Sequence, residues 1–258
     1  MKIINTKPKP ESVAGFWDIK LPQDFKLVKG KSNSIYNTPE IMSLTDLITN
    51  ESCDDLINLF RGSNIFEPVS VNGLKSENLG KGSHRATGYS VELAEQLSDI
   101  IIPNLLDLHC NDYTATDFWQ YSTSVIWKPI GISPMLRFMQ YDNESEHYAH
   151  YDAGFIYPNK THRTLKSFVL YLTTNEIGAT RFIEDNQEHI PVWDRNHDDW
   201  DRRVNSNEIL LESFPVKGKI LIFNHRLCHD VEQYFPTTEN ECRIIIRGDV
   251  IYEEITVN

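Results

Sequence analysis

From about residue 113 to the C-terminus the chain is cut into short runs rich in Val, Ile, Phe and Tyr. Turn residues separate them, and the runs fall at 122–127, 135–142, 147–152, 165–173, 179–183, 190–193, 209–213, 218–223 and 242–252. Segments of this length and composition suit strands, whose side chains alternate between two faces. Many short strands without an internal repeat predict a sandwich or jelly roll. The one long polar interruption, DRNHDDWDRRVNSNE at 194–208, reads as a loop. Loops of that length are commonly functional.

The first 112 residues read differently. Residues 1–40 are rich in Pro, Lys and Asn and predict an extended arm, with Phe16 and Trp17 as anchors. Residues 43–62 read as a helix, with Asn50 or Ser52 as its cap, Asp54 and Asp55 near its start and Gly62 at its stop. A second helix opens at Ser90, where Val91, Ala94, Leu97 and Ile101 recur at helical spacing, and Pro103 kinks it or begins another short one. The expected architecture is a β-rich α+β fold. It is one domain over 1–258, with an arm at 1–40, mainly helical support at 41–112 and a jelly-roll core at 113–258.

Composition removes several classes of function. Hydrophobic residues make up 40% of the 258 and charged residues 24%, which suits a globular chain. No apolar run reaches the length of a membrane-spanning helix, so no membrane partner is expected. Twenty-five Lys and Arg against 37 Asp and Glu leave a formal charge of −12, which disfavours nucleic acid. The opening MKIINTKPKPES lacks the apolar core of a secretory signal, and Cys53, Cys110, Cys228 and Cys242 form no CxxC pair. A reducing, cytoplasmic location is the expectation.

His150-Tyr151-Asp152 lies in a strand-like run, so His150 and Asp152 share a face. A third ligand is available in GKILIFNHRLCHDVE, where His229 follows an apolar strand. Two imidazoles and one carboxylate on one face of an octahedron form the triad of non-haem Fe(II) oxygenases, with three positions open. His197-Asp198-Asp199 has the same spacing but lies in the polar loop, where no strand sets its geometry. Farther on, the apolar strand CRIIIRGDVIY carries Arg243 and, on the same face, Arg247. A 2-oxoglutarate dianion at such a metal would need a buried cation for its distal carboxylate, and a guanidinium binds one through two hydrogen bonds. Arg243 is the first candidate and Arg247 the rival; alternatively, both face solvent on an edge strand.

These segments, in this order, resemble the prolyl 4-hydroxylase-like branch of the Fe(II)/2-oxoglutarate-dependent dioxygenases. LRFMQYDNESEHYAHYDAGF is similar to that family's Tyr…Tyr-x-x-His-x-Asp segment, carrying Tyr141, Tyr148, His150 and Asp152. SFVLYLTTNEIGATRF is similar to its next strand and turn, with Thr180 and Phe182. GKILIFNHRLCHDVE is similar to its distal-histidine segment, with His229, and CRIIIRGDVIY to its last core strand. The resemblance covers about residues 135–252 and implies a double-stranded β-helix, with weaker likeness in the two helices.

The resemblance further implies that His150, Asp152 and His229 are the metal ligands and catalytic centre. It places Arg243 on the distal carboxylate of 2-oxoglutarate, and Tyr141, Tyr148 and Thr180 among the cofactor-binding residues. Implied cofactors are Fe(II), 2-oxoglutarate and O2, with ascorbate as a stimulant. The implied reaction is hydroxylation of an unactivated C–H bond with release of succinate and CO2. Because Asp152 fills the carboxylate position, hydroxylation is expected rather than halogenation.

Three departures bear on the substrate. Ile177 stands where the family often has the first of two glycines. The family's substrate-contacting Arg aligns with Thr164, one residue from Arg163, and one residue reverses a strand face. The 184–210 segment is long, with Trp193, Trp200, Asp194, Asp198, Asp199 and Asp201 as lid residues facing a cationic group. Together they favour a small amino-acid-like substrate over a prolyl or other protein side chain. Outside the enzyme class, a 2-oxoglutarate or metal sensor would carry the same residues.

Overall fold

The computed structural model describes residues 16–31, 33–38, 40–63, 65–72, 82–110, 124–187, 190, 194, 196, 201–238 and 241–256. The first half supplies β1 (Phe16–Asp18), β2 (Asn33–Thr38), β3 (Ile41–Thr45), α1 (Asn50–Gly62), β4 (Glu67–Pro68), β5 (His84–Tyr89) and α2 (Val91–Ile101). The second supplies β6 (Val125–Ile132), β7 (Met135–Tyr141), β8 (His147–His150), β9 (His162–Tyr171), β10 (Thr180–Ile183), β11 (Ile209–Ser213), β12 (Ile220–Asn224), β13 (His229–Val231) and β14 (Arg243–Thr256).

Two sheets form. The larger runs β1-β5-β7-β14-β9-β12-β3-β2, with β4 on β5 and β6 on β14; the smaller runs β11-β10-β13-β8. From β7 onward the chain passes large, small, large, small, small, large, small, large. That winding between two facing sheets is the double-stranded β-helix, and it makes the fold a β-rich α+β jelly roll with flanking helices.

Strand alternation sorts the larger sheet's two faces. Leu136, Phe138, Phe168, Leu170, Ile220, Ile222, Ile244 and Ile246 point toward the helices and share one apolar cluster with Leu56, Phe60, Leu93 and Leu97. Met139, Tyr141, Val169, Tyr171, Leu221, Phe223 and Ile245 point the other way and pack against Phe182 and Val231 of the smaller sheet. Burial on both sides explains the unbroken apolar runs Phe168–Tyr171 in β9 and Ile220–Phe223 in β12.

Some elements differ from the sequence expectation. The helix expected at 43–62 begins only at Asn50, because 41–45 forms β3 against β12. Its cap is Thr49, whose side chain accepts from the Ser52 amide; Ser52 Oγ instead accepts from Val28 N. Gly62 is the last helical residue and Ser63 the C-cap. Ser90 caps α2 as expected, and Pro103 lies in a separate 3-10 turn over Ile102–Asn104.

The expected arm is partly sheet. β1 runs parallel to β5, and β2 extends the far edge. Trp17 is an anchor, 9% exposed with its ring 5.3 Å from Phe138; the Phe16 side chain lies outside the described residues. The supporting region 41–112 holds three strands besides its helices. β6 continues past 127 to Ile132, since it pairs with β14 along its whole length. The strand expected at 190–193 lies outside the described residues, except Ile190 in a bend. Among the described residues no helix is long and apolar enough to cross a membrane.

Candidate functional site

The space between the sheets opens into a cavity of about 240 Å³ at the β7, β8, β13 and β14 end, lined on one side by His150, Asp152 and His229. β8 and β13 are antiparallel neighbours with His150 directly opposite His229, so two residues 79 apart in sequence bring their rings to a 4.3 Å centroid separation. Asp152 follows just beyond β8, with its carboxylate oxygens 3.9 Å from His150 Nε2 and 3.8 Å from His229 Nε2. Among the described residues this is a group whose ligand atoms all lie within 4.8 Å of one another.

The protonation states suit a divalent metal. His150 Nδ1 lies 2.7 Å from the Tyr148 carbonyl and His229 Nδ1 lies 2.9 Å from the Leu227 carbonyl. A carbonyl only accepts, so both Nδ1 atoms donate and both Nε2 lone pairs face the cavity. Burial, then the neighbouring His229, pushes His150 down to about 3. Burial also lowers His229. Burial opposes the charge on Asp152, but the Arg247 guanidinium, foremost of the groups around it, holds the carboxyl well below the usual range. Two neutral imidazoles and one carboxylate on one face therefore present an N2O donor set to the cavity.

Arg243 and Arg247 share a face of β14 but differ in environment. Arg247 Nη2 lies 2.5 Å from Asp152 Oδ1, and its Nε donates to Asp152 Oδ2 at 3.3 Å. Ser167 also donates to that oxygen. Arg243 is fully buried, and its Nη2 donates to Thr180 Oγ1 at 3.1 Å. Its Nε and Nη1 have no hydrogen-bond partner. The Tyr141 ring lies 4.6 Å from the guanidinium carbon and the Tyr171 ring 5.6 Å. A buried guanidinium with two unpartnered nitrogens in a polar cavity has the charge and the donors to bind an anion. It can take the distal carboxylate of a dicarboxylate whose other end lies at the triad.

The other expected residues fall as follows. Tyr141 stands opposite Arg243 in the β7–β14 register and lines the cavity, as does Thr180. Tyr148 is not among the lining residues: its phenol interacts with Arg203, and its contribution here is the carbonyl that orients His150. An extra residue in β8 against β13, where His229 pairs with His150 but Val231 with His147, breaks the alternation and brings His147 rather than Tyr148 beside His150. Thr164 is buried and accepts from the Phe155 amide, while Arg163 lies over the Trp127 ring at 5.5 Å. Neither lines the cavity. His197, Asp198, Asp199, Trp193 and Trp200 lie outside the described residues. In the described part of that segment, Asp201 and Arg202 bond to Ala149 of β8, Arg202 pairs with Glu208 and Arg203 with Glu146. Asp194 and Asp201 are exposed.

Among the lining residues not singled out in the sequence are Arg85, Arg137, His147 and Met139. Period-2 alternation back from Tyr141 would have found Arg137 and Met139 on the same face. Arg137 titrates down at about 10, first because of Arg247 and then burial. His147 stacks edge-on against His150 at 4.2 Å. No sequence signal marks Arg85, which reaches the cavity because β5 joins the sheet beside β7.

No protein-family model matches the chain, and no curated protein does. Solved structures similar to it include a viral collagen prolyl hydroxylase from Paramecium bursaria Chlorella virus-1 in complex with 2-oxoglutarate. That match has 12% identity, covers 85% of this chain and 98% of that one, and has a TM-score of 0.45. A prolyl hydroxylase from Trichoplax adhaerens, in complex with a hypoxia inducible factor peptide fragment, matches at 15% identity, 83% and 84% coverage and a TM-score of 0.47. HygX from Streptomyces hygroscopicus, with nickel and 2-oxoglutarate bound, matches at 11% identity, 84% of each chain and a TM-score of 0.48.

Proposed function

We propose that this chain is an Fe(II)/2-oxoglutarate-dependent dioxygenase that hydroxylates an unactivated C–H bond of a small amino-acid-like substrate. The observation that carries this reading is the pairing, in one cavity, of the His150–Asp152–His229 donor set with Arg243, whose buried Nε and Nη1 have no partner. A structural metal site would need no such guanidinium, and a structural arginine would not leave two donors idle.

When bound, iron and 2-oxoglutarate supply the oxidative chemistry, turning 2-oxoglutarate and O2 into succinate, CO2 and a hydroxylated product. The protein's own groups do the rest. His150 and His229 offer Nε2 lone pairs because Tyr148 and Leu227 carbonyls hold their Nδ1 protons. Arg247 and Ser167 orient Asp152 and keep it charged. Arg243, beside Thr180 and Tyr141, would hold the far carboxylate of 2-oxoglutarate and so orient it toward the triad. Met139, Val169, Phe223 and Ile245 line the space between and exclude water. Support for a small substrate comes from the cavity's size and from Arg163 and Thr164 lying away from it.

The deciding experiment is a succinate-release screen of free amino acids and short peptides with Fe(II), ascorbate and 2-oxoglutarate. His229→Ala should lose succinate release and keep its circular dichroism spectrum. Full activity of that variant, or of wild type under a strong chelator, would sink the reading. Turnover of a proline-containing peptide alone would reassign the substrate to a protein side chain.

A further inference from the structure

Three arginines line the cavity in a row across three adjacent strands. Arg137 of β7 stands directly opposite Arg247 of β14. Arg85 of β5 pairs with Met139, two residues along β7, and so sits diagonal to Arg137 on the same face. Like charges directly opposite on a sheet are destabilising, so this row costs the unliganded fold stability.

Only one of the three is compensated. Arg247 meets Asp152 at 2.5 Å and Asp249 at 3.7 Å. Among the described residues no carboxylate forms an ion pair with Arg85 or Arg137, and Arg137 Nη1 is buried without a hydrogen-bond partner. The acidic groups acting on them from a distance are Asp249 and Asp152 for Arg137 and Glu67 for Arg85.

The count of charges extends this. Four guanidinium groups, including Arg243, line the cavity against Asp152, with Asp249 behind Arg247 as a second carboxylate. An Fe(II) ion and a 2-oxoglutarate dianion cancel each other. Two guanidinium charges are left over, and the two without an ion-pair partner among the described residues are Arg137, level with Arg247, and Arg85, level with Ile245 midway between Arg243 and Arg247.

We propose that Arg137, aided by Arg85, receives an oxyanion of the substrate, a carboxylate or a phosphate, and so selects an anionic small molecule. This rests on the dioxygenase reading above and narrows its substrate class. The planar forks of two arginines suit an oxyanion and reject a neutral amide of the same shape. Binding through this group at one end would hold the rest of the molecule over the triad.

The test uses the full chain, loaded under argon with Fe(II) and saturating 2-oxoglutarate so that Arg243 is occupied. Acetate, inorganic phosphate, acetamide and chloride are titrated while the melting temperature is followed. Acetate or phosphate should raise it and acetamide should not; the lower of the two midpoints identifies carboxylate or phosphate as the source. Arg137→Met should raise that midpoint by at least about tenfold, leave 2-oxoglutarate affinity unchanged, and melt higher than wild type without ligands because the repulsion from Arg247 is gone. If Arg137→Met does not fold, Arg85→Met is read in the same way. An unchanged midpoint in the variant, or acetamide or chloride acting as strongly as the oxyanions, would overturn the proposal. If wild type fails to bind 2-oxoglutarate, the dioxygenase reading falls by itself. The anion titration is then repeated on metal-free Arg243→Met protein, with and without Arg137→Met, where the same tenfold contrast decides the arginine row.

Discussion

Arg247 Nη2 lies 2.5 Å from Asp152 Oδ1, a contact between the last strand of the fold and the carboxylate of the proposed metal-ligand triad. Four residues earlier on the same face, Arg243 meets no carboxylate among the described residues and keeps two buried donors idle. The two arginines therefore differ in their surroundings: one is ion-paired to Asp152, and the other has two buried nitrogens able to bind an anion.

Arg247→Met should weaken metal binding. Losing the group that orients a metal-ligating carboxylate typically costs about 10–100-fold in affinity. A Co(II) or Fe(II) titration of the purified protein measures this, and an affinity equal to wild type would show that Ser167 alone suffices to hold Asp152.

Arg243→Met should strike 2-oxoglutarate instead. Removing one partner of a buried charge pair costs roughly 3–5 kcal/mol, or about two to four orders of magnitude in affinity. Calorimetric titration of 2-oxoglutarate into metal-loaded protein gives the number. A larger loss in Arg247→Met than in Arg243→Met would exchange the two roles.

The buried imidazoles set a pH dependence of the metal-free fold. His150 is held down at about 3 and His229 is also lowered, against an ordinary value of 6.5. Below 6.5 the unfolded chain takes up protons that the folded chain refuses, so stability rises with pH between these values. It should be complete above about 6.5 and be lost progressively as the pH falls toward 3. Chemical denaturation across this range checks the sign. His150→Gln should flatten the slope, and a slope that stays unchanged would mean other groups carry it.

Gly178→Ala should be costly for two reasons. Its φ is +81°, where a side chain is strained. A Cβ there would lie 3.1 Å from the Tyr234 ring and 3.3 Å from Arg243 Cδ. The expected loss is roughly 1–2 kcal/mol of stability, together with weaker 2-oxoglutarate binding because the Arg243 stem must shift. Normal binding with lowered stability would confine the effect to the backbone.

Much of this was legible in the linear sequence because strand alternation is a local property. The run CRIIIRG places Arg243 and Arg247 on one face and Ile244 and Ile246 on the other without reference to any partner strand. The spacing in His150-Tyr151-Asp152 likewise puts two ligand side chains together. The jelly roll follows from many short apolar runs, and Ser90 shows as a cap by its position before a helical period. What could not be read is whatever depends on register between distant segments. His229 faces His150 because β13 pairs with β8. Arg137 faces Arg247, and Arg85 enters the cavity, because β5, β7 and β14 are neighbours. The first residues of the helix expected at 43–62 fell instead in β3, Ile41–Thr45, since that segment pairs with β12. Tyr148 lost its expected place because β8 carries an extra residue against β13, which turns His147 rather than Tyr148 toward the face of His150. Local chemistry is written in residue order, whereas the partner of each buried charge is decided by hydrogen-bonded pairing across the sheet, which only the closed fold supplies.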